Sequence, residues 1–212
     1  MNFEENKDLI RKIIKEQRYT KLDINLEKNN SVKIYMRPIN VNDLEDKTIL
    51  NKLTDWRNKN MESFFTKFDA TPERTKKWLE NTIMINNSQL IFLIFIDDNV
   101  IGHLGFKLID DGNIMLDNAI RGERGGPANL FIVAHKTLIK WIFLTFKNDL
   151  IRGYVMADNP SAIMMNKNVG WEEWRKLPLI LEKNIRETKW SIGRFGDKSK
   201  ENKYCYELLI KK

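Results

Sequence analysis

The sequence predicts a mixed α/β fold: a largely antiparallel central sheet covered by helices, with an N-terminal helix and hairpin extension in front of it. Three observations lead there. Apolar runs between Leu90 and Ile120 follow one another across short polar turns, as the strands of an antiparallel meander do. A segment rich in glycine and arginine, Arg121 to Pro127, then opens into apolar residues at helical spacing. A further apolar run, Leu150 to Ala157, must lie parallel to the strand before that helix if the crossover is right-handed.

Element by element, Phe3, Leu9, Ile10, Ile13 and Ile14 recur at helical spacing, so a helix is expected from Phe3 to about Arg18. Leu22, Ile24 and Leu26 alternate with polar residues, Asn29-Asn30 offers a turn, and Val32, Ile34 and Tyr35 to Pro38 resume as a strand, which predicts a β-hairpin. Residues 1–30 are therefore read as the helix and the start of the hairpin, and 31–212 as the main domain. Val41 to Asn60 reads as one helix with Leu44, Leu50, Leu53 and Trp56 on its apolar side, before a loop holding Phe64, Phe65 and Phe68. Thr71-Pro72-Glu73 starts another helix: the hydroxyl can cap, proline fits the first turn, and the carboxylate meets the positive end of the dipole. That helix should reach about Asn86.

In the meander, Leu90 to Ile96, Val100 to Leu108 and Ile114 to Ile120 are separated by turns at Asp97-Asp98-Asn99 and Asp110 to Asn113. These runs are apolar enough for burial on both faces, so helices should cover them. The long helix presents Leu130, Val133, Ala134, Leu138, Trp141, Ile142 and Thr145 on one face. Asn159 to Asn168 reads as a short helix ended by Gly170, and the remainder alternates toward a last strand at Tyr204 to Ile210.

With 42% hydrophobic and 31% charged residues, the 212-residue chain falls outside the disordered and low-complexity classes and suffices for one sizeable core. No apolar run approaches the roughly 18 residues of a membrane span, and the start MNFEENKDLI is too polar for a secretory signal. A cytoplasmic protein with no membrane partner is expected. Cys205 alone cannot form an internal disulfide, and with only His103 and His135 beside it no zinc-type cluster can assemble, so no metal is expected. The net charge of +7 favours an anionic partner. Lys and Arg are scattered, with no basic stripe interleaved with aromatics, which speaks against a nucleic-acid face.

The chemistry concentrates in RGERGGPANLF, between a predicted strand and a predicted helix. A helix amino terminus carries unpaired N–H groups and about half a positive charge, so it binds phosphate when glycines let the backbone approach. Gly122, Gly125 and Gly126 permit that approach, Pro127 suits the first helical turn, and Arg121 and Arg124 can neutralise a pyrophosphate or a 3′-phosphate. A simple tight connection is the competing reading of the same glycines. The loop lacks the Gly-Lys-Ser/Thr ending of a P-loop, and no acidic residue closes a following strand as in a dinucleotide-binding fold.

From roughly residue 33 to 175 the order of elements resembles the GNAT superfamily of N-acetyltransferases, in which a strand, an Arg/Gln-x-x-Gly-x-Gly/Ala loop and a long helix cradle the pyrophosphate of coenzyme A. Arg121, Gly125 and Gly126 occupy that loop, although one extra residue and Pro127 break the family spacing. NPSAIMMNKNVGW resembles the family segment Asn-x-x-Ala-x-x-x-Tyr-x-x-x-Gly-Phe, matching at Asn159, Ala162, Gly170 and Trp171. Trp56-Arg57-Asn58, Phe64-Phe65 and Thr71 to Trp78 resemble the first two helices of members with small amine substrates, and Ile101-Gly102 falls where such enzymes often carry Ile-Gly.

The resemblance implies direct attack of a neutral amine on the thioester of acetyl-CoA or another short acyl-CoA, without a covalent intermediate. Strand amides near Ala119 or Ile120 would stabilise the oxyanion, and Arg121, Gly122, Arg124, Gly125, Gly126, Ala128, Asn159 and Lys167 would hold the coenzyme. Asn166 stands where many members have a proton-donating tyrosine; it cannot act as an acid, so water or another group must supply that proton. Asp117 is the first candidate for general base, a simple edge or turn partner being the other reading. His103 shares a strand face with Ile101, Gly105 and Lys107 and reads as a half-exposed strand histidine or as a base. His135 reads as structural, and Cys205 as a packed thiol rather than a nucleophile. Trp56, Arg57, Phe64 and Phe65 are candidates for the acceptor pocket, against core packing of the aromatics with Arg57 solvated.

The loop form Ile-Arg-Gly-x-x-Gly-x-Pro resembles acyltransferases of bacterial surface polysaccharides that act on nucleotide-linked amino sugars. That makes a primary amine on such a sugar the expected acceptor, in keeping with the basic charge. A protein N-terminal or polyamine acetyltransferase is the alternative within the same chemistry, and a non-catalytic nucleic-acid-binding or regulatory module the alternative from another class. A homodimer is compatible with the sequence.

Overall fold

The amphipathic start of the chain folds as α1 (Phe3–Lys15), in a computed structural model that describes residues 2–16, 20–26, 32–109, 113–183 and 187–212. Asn2 and Glu5 form a reciprocal capping box at its start. Its Ile10, Ile13 and Ile14 join the same buried cluster as the central strands, which is why the apolar stripe recurs at helical spacing. The helix ends at Lys15, and the expected extension to Arg18 lies outside the described residues.

The expected hairpin is present: β1 (Leu22–Asp23) pairs antiparallel with β2 (Ile34–Pro38), Leu22 opposite Met36. Its proposed turn, Asn29-Asn30, lies outside the described residues. The single helix expected over Val41 to Asn60 is instead a 3₁₀ turn, Val41–Leu44, followed by α2 (Lys47–Lys59). Asp46 divides them, because its carboxylate accepts the amides of Thr48 and Ile49 and so begins a new helix. The phenylalanine loop contains a short strand that the sequence reading did not include, β3 (Thr66–Lys67). Thr71 caps α3 (Pro72–Leu79), and a π-helical turn, Glu80–Ile85, carries the chain to about the expected end.

The meander is β4 (Gln89–Ile96), β5 (Asn99–Leu108) and β6 (Ile114–Arg121). Leu90 to Phe95 are all buried, so the sheet is covered on both sides here, as the unbroken apolar run requires. Of the second turn, residues 110–112 lie outside the described residues. Next come α4 (Leu130–Phe146), β7 (Leu150–Met156) and α5 (Pro160–Val169). Trp141 and Phe146 of α4 meet Phe92 and Phe106 of the sheet edge to face at 5.2 Å. Each fully buried phenylalanine contributes roughly 1.5–3 kcal/mol through burial.

Beyond α5 the chain adds β8 (Glu172–Lys183), β9 (Thr188–Ile192) and β10 (Tyr204–Lys211), of which the sequence reading gave only the last. Among the described residues ten strands form the order β1-β2-β4-β5-β6-β7-β10-β8-β9-β3. All neighbouring pairs are antiparallel except β6 and β7. Those two run parallel, as a right-handed crossover through α4 demands, but they pair only at Ile114 with Ile151 and Met115 with Arg152. Past that point they separate, leaving two unpaired strand edges in the middle of the sheet.

Candidate functional site

The gap between β6 and β7 opens into a cavity of about 1010 Å³, lined by residues 116–121 of β6, 153–156 of β7, and side chains of α2, α3 and α5. Unpaired backbone groups along such an edge must find partners in water or a ligand. A bulge in β6 enlarges the gap. His103 pairs with Ile120 and Gly105 with Asp117, so two steps of β5 face three of β6. Asn118 absorbs the extra residue in a left-handed conformation (φ 54°), which asparagine tolerates better than most residues. Ala119 is left exposed on the cavity wall without a partner across the β5–β6 ladder.

His103 locks the bulge. It was expected half-exposed, yet it is buried (5%), because Trp56 lies beside its ring at 6.3 Å. Its Nδ1 lies 2.7 Å from the Asn118 carbonyl, so Nδ1 donates the hydrogen. Burial pushes its pKa down to about 4, against smaller opposing effects of Asn118 and Asp117. His135 is also buried and held down to about 4 by burial, its Nδ1 2.9 Å from the Phe131 carbonyl one turn back.

Two expectations for Trp56 and Gly122 need correction. Trp56 is core (3% exposed) and does not line the cavity. Its indole occupies the space beside Gly122: a Cβ there would stand 2.0 Å from two ring carbons. Gly122 is thus required by Trp56, and its amide, like that of Glu123, donates to the Ile101 carbonyl rather than facing outward. Gly122→Ala is expected to destabilise the protein by about 1–3 kcal/mol through overpacking. In a Trp56→Leu background most of that penalty should vanish; equal shifts of the urea midpoint in both backgrounds would refute the contact.

Beyond Glu123 the loop behaves differently. Arg124, Gly125, Gly126 and Ala128 are exposed, and Arg124 has no partner among the described residues. Gly126 has φ 65°, and a Cβ would lie 2.7 Å from Ile96 Cδ1, so glycine is required there on two counts. Arg121, expected to meet phosphate, donates to the carbonyl of Gly125 at 3.0 Å and reaches that of Ala128 at 3.5 Å, which closes the loop from within. Pro127 is not in the first helical turn as expected. It precedes α4, and its carbonyl accepts the Leu130 amide. Asn129 supplies no side-chain cap, so the open amino end of α4 remains a place for an anion.

On the opposite wall, the side-chain oxygen of Asn159 caps α5 through the Ala162 amide, and its Nδ2 donates to Ser63 Oγ at 3.1 Å. Asn166 lines the cavity, while Lys167 is exposed and paired with Glu173 at 3.2 Å. Asp117 accepts the Asn118 amide at 2.9 Å and meets Lys107 Nζ at 3.2 Å. Among the described residues it is the only carboxylate on the cavity wall, against the cations Arg57, Arg74, Lys107 and Arg121.

Arg57, Phe64 and Phe65 line the cavity as expected, with Phe68 and Arg74 added. The Arg57 guanidinium sits 3.7 Å from the Phe64 centroid and 4.8 Å from that of Phe68, and Arg74 lies 3.6 Å over Phe68. Arg57 is half-buried rather than solvated; burial first, then Arg74, lowers its pKa to about 10, which leaves it charged at neutral pH. Arg74 could have been found, since Arg74, Thr75 and Trp78 share one helical face and all line the cavity. Tyr154 was also missed; its hydroxyl donates to Glu207, a carboxylate 1% exposed that is neutralised by Arg152 and Arg175.

No family model matches this sequence, and no curated protein matches it. Solved structures do resemble the fold. A probable acetyltransferase of the GNAT family from Chromobacterium violaceum aligns at TM-score 0.62 and 13% identity over 90% of this chain and 86% of its own. Spermidine N-acetyltransferase from Vibrio cholerae, solved with CoA and spermine, aligns at 0.58 and 17% identity over 84% of this chain and 95% of its own. The N-acetyltransferase PseH of Campylobacter jejuni aligns at 0.53 and 14% identity over 84% and 98%. The fold is that of GNAT acetyltransferases.

Proposed function

We propose that the protein transfers an acetyl or short acyl group from acyl-CoA to a primary amine, that of a nucleotide-linked amino sugar, in a cytoplasmic step of surface-polysaccharide synthesis. The observation that carries this reading is the parting of β6 from β7 beside a bulge, in line with an exposed loop before α4. Such a slot accepts an extended chain against its strand edges and receives the phosphates of that chain at the loop. The likeness to GNAT folds supports it, and PseH is among those neighbours. No helix among the described residues is long and apolar enough to cross a membrane.

In this reading the acyl-CoA phosphates meet the backbone of the exposed residues Arg124, Gly125, Gly126 and Ala128 and the Arg124 guanidinium, unpaired among the described residues, while Arg121 keeps the loop closed. Amides on the bulged edge near Ala119 and Ile120 donate to the oxyanion formed when the amine attacks the thioester carbonyl. Asp117 receives the proton that the amine sheds as the C–N bond forms. The C–S bond then breaks, and water supplies the thiolate's proton, since Asn166 can hydrogen-bond to sulfur but cannot protonate it.

A polyamine acceptor, suggested by the spermidine enzyme, is disfavoured by the four cations facing one carboxylate on the wall. The test is titration with acetyl-CoA. At a hundred times its dissociation constant it should stabilise the fold by about 2.7 kcal/mol. Free thiol should then appear on adding an amino-sugar acceptor, and a thermal midpoint indifferent to acetyl-CoA would defeat the reading.

A further inference from the structure

We infer that the acceptor carries an oxyanionic group, phosphate or carboxylate, which docks between Arg57 and Arg74 against Phe64 and Phe68 while its amine faces Asp117. This rests on the acyl-transfer reading and deepens it by placing the anion at a site of its own, apart from the loop before α4.

Four observations support it. Arg57 Nη2 donates to the Thr66 carbonyl, but Nη1 is buried with no partner. A buried donor on a charged group without an acceptor is expensive, and an incoming oxyanion relieves that penalty. Gln89 presents a second such atom: its Nε2 is buried and unpartnered on the wall of the same cavity. Both orphans are donors, so the missing group is an acceptor of hydrogen bonds.

Arg57 and Arg74 both approach the ring of Phe68, at 4.8 and 3.6 Å, so two like charges are held near each other. Among the described residues Arg57 forms no ion pair, and Arg74 meets only Glu187, at 3.5 Å. Guanidinium groups held this close to phenylalanine rings keep their unpaired N–H donors for an oxyanion, which a guanidinium can grip in two places. Among the described residues the sole wall carboxylate, Asp117, is paired with Lys107, so it offsets the two guanidinium charges only in part. A second amine in this position would meet repulsion.

The test compares glucosamine with glucosamine 1-phosphate as acceptors for acetyl-CoA, the amine and the sugar being the same in both. A third arm, with 2-amino-2-deoxygluconate, replaces phosphate by carboxylate. Charge-assisted hydrogen bonds to Arg57 and Arg74 should favour the phosphorylated sugar by about 10- to 100-fold in kcat/KM and in binding to the CoA-loaded protein. Arg57→Gln should reduce that ratio toward one, and Arg57→Lys should restore part of it. If Arg57→Gln fails to show the normal thermal shift with acetyl-CoA, Arg74→Gln replaces it in the same comparison.

Preference for the carboxylate over the phosphate would keep the site and change its ligand. Equal use of the neutral and phosphorylated sugars, preference for spermidine, or a ratio unmoved by both substitutions would overturn the inference while leaving acyl transfer intact. Failure of acetyl-CoA to bind the unaltered protein would overturn both.

Discussion

Acidification from pH 7 to pH 4 should remove about 6 kcal/mol of folding stability, of which roughly two thirds is lost by pH 5. The cause is two buried imidazoles. The ring nitrogens of His103 and His135 meet the carbonyls of Asn118 and Phe131, Asp117 opposes the shift of His103 only weakly, and burial pushes each pKa from 6.5 to about 4. Between those values the unfolded chain binds two protons that the native fold refuses, so stability is fully present above pH 6.5 and falls as the pH drops toward 4. Each contributes roughly 3 kcal/mol, and together they rival the whole stability of an ordinary domain. Urea unfolding at pH 7 and pH 5 measures the loss, before most carboxylates titrate. His135→Gln, which keeps a donor near the Phe131 carbonyl, should reduce the acid sensitivity by about half. Identical midpoints at the two pH values would show that neither ring is held neutral by burial, and half the expected loss that only one is.

These histidines also show where sequence reasoning reached its limit. His103 was placed on the more polar face of its strand because Gly105 and Lys107 share it, and that pattern is real. What buries the ring is Trp56, brought from α2 across the sheet. The same tryptophan was assigned to the acceptor pocket by its motif and instead fills the space beside Gly122. Contacts between residues so distant in the chain leave no local signal.

Where local chemistry decides, sequence and structure agree. Thr71-Pro72 began a helix, Gly170 ended one, and the unbroken apolar run of β4 became a strand covered on both sides. Asp46 was overlooked as a helix start because an apolar periodicity continues across it. β8 was overlooked because only Leu177 to Leu179 are buried in a strand that otherwise faces water, its pairing supplied by β10 and β9. The site divides the same way. The place of the glycine loop between a strand and a long helix, and a short helix beginning near Asn159, could be read directly. The bulge at Asn118 could not, since it depends on how β5 meets β6. Nor could the inward turn of Arg121, set by the carbonyls of a loop whose shape the sequence does not reveal.

Asp117→Asn is expected to lower kcat by roughly 10²- to 10⁴-fold if this carboxylate takes the amine's proton. The substitution is a narrow one. The amide oxygen of asparagine can still accept from the Asn118 backbone, so the bulge and the neighbouring amides should keep their places. What is lost is a proton acceptor and the negative partner of Lys107. Because Lys107 is more than a third exposed, losing that pair should change stability little. The KM for acetyl-CoA should be unchanged, since the proposed function places the coenzyme on the loop before α4 and not on Asp117. Asp117→Glu should recover part of the rate if a carboxylate is needed within reach of the amine. A kcat within twofold of the original would move the proton acceptor to solvent. It would leave Asp117 as the group that orients Lys107 and caps the bulge.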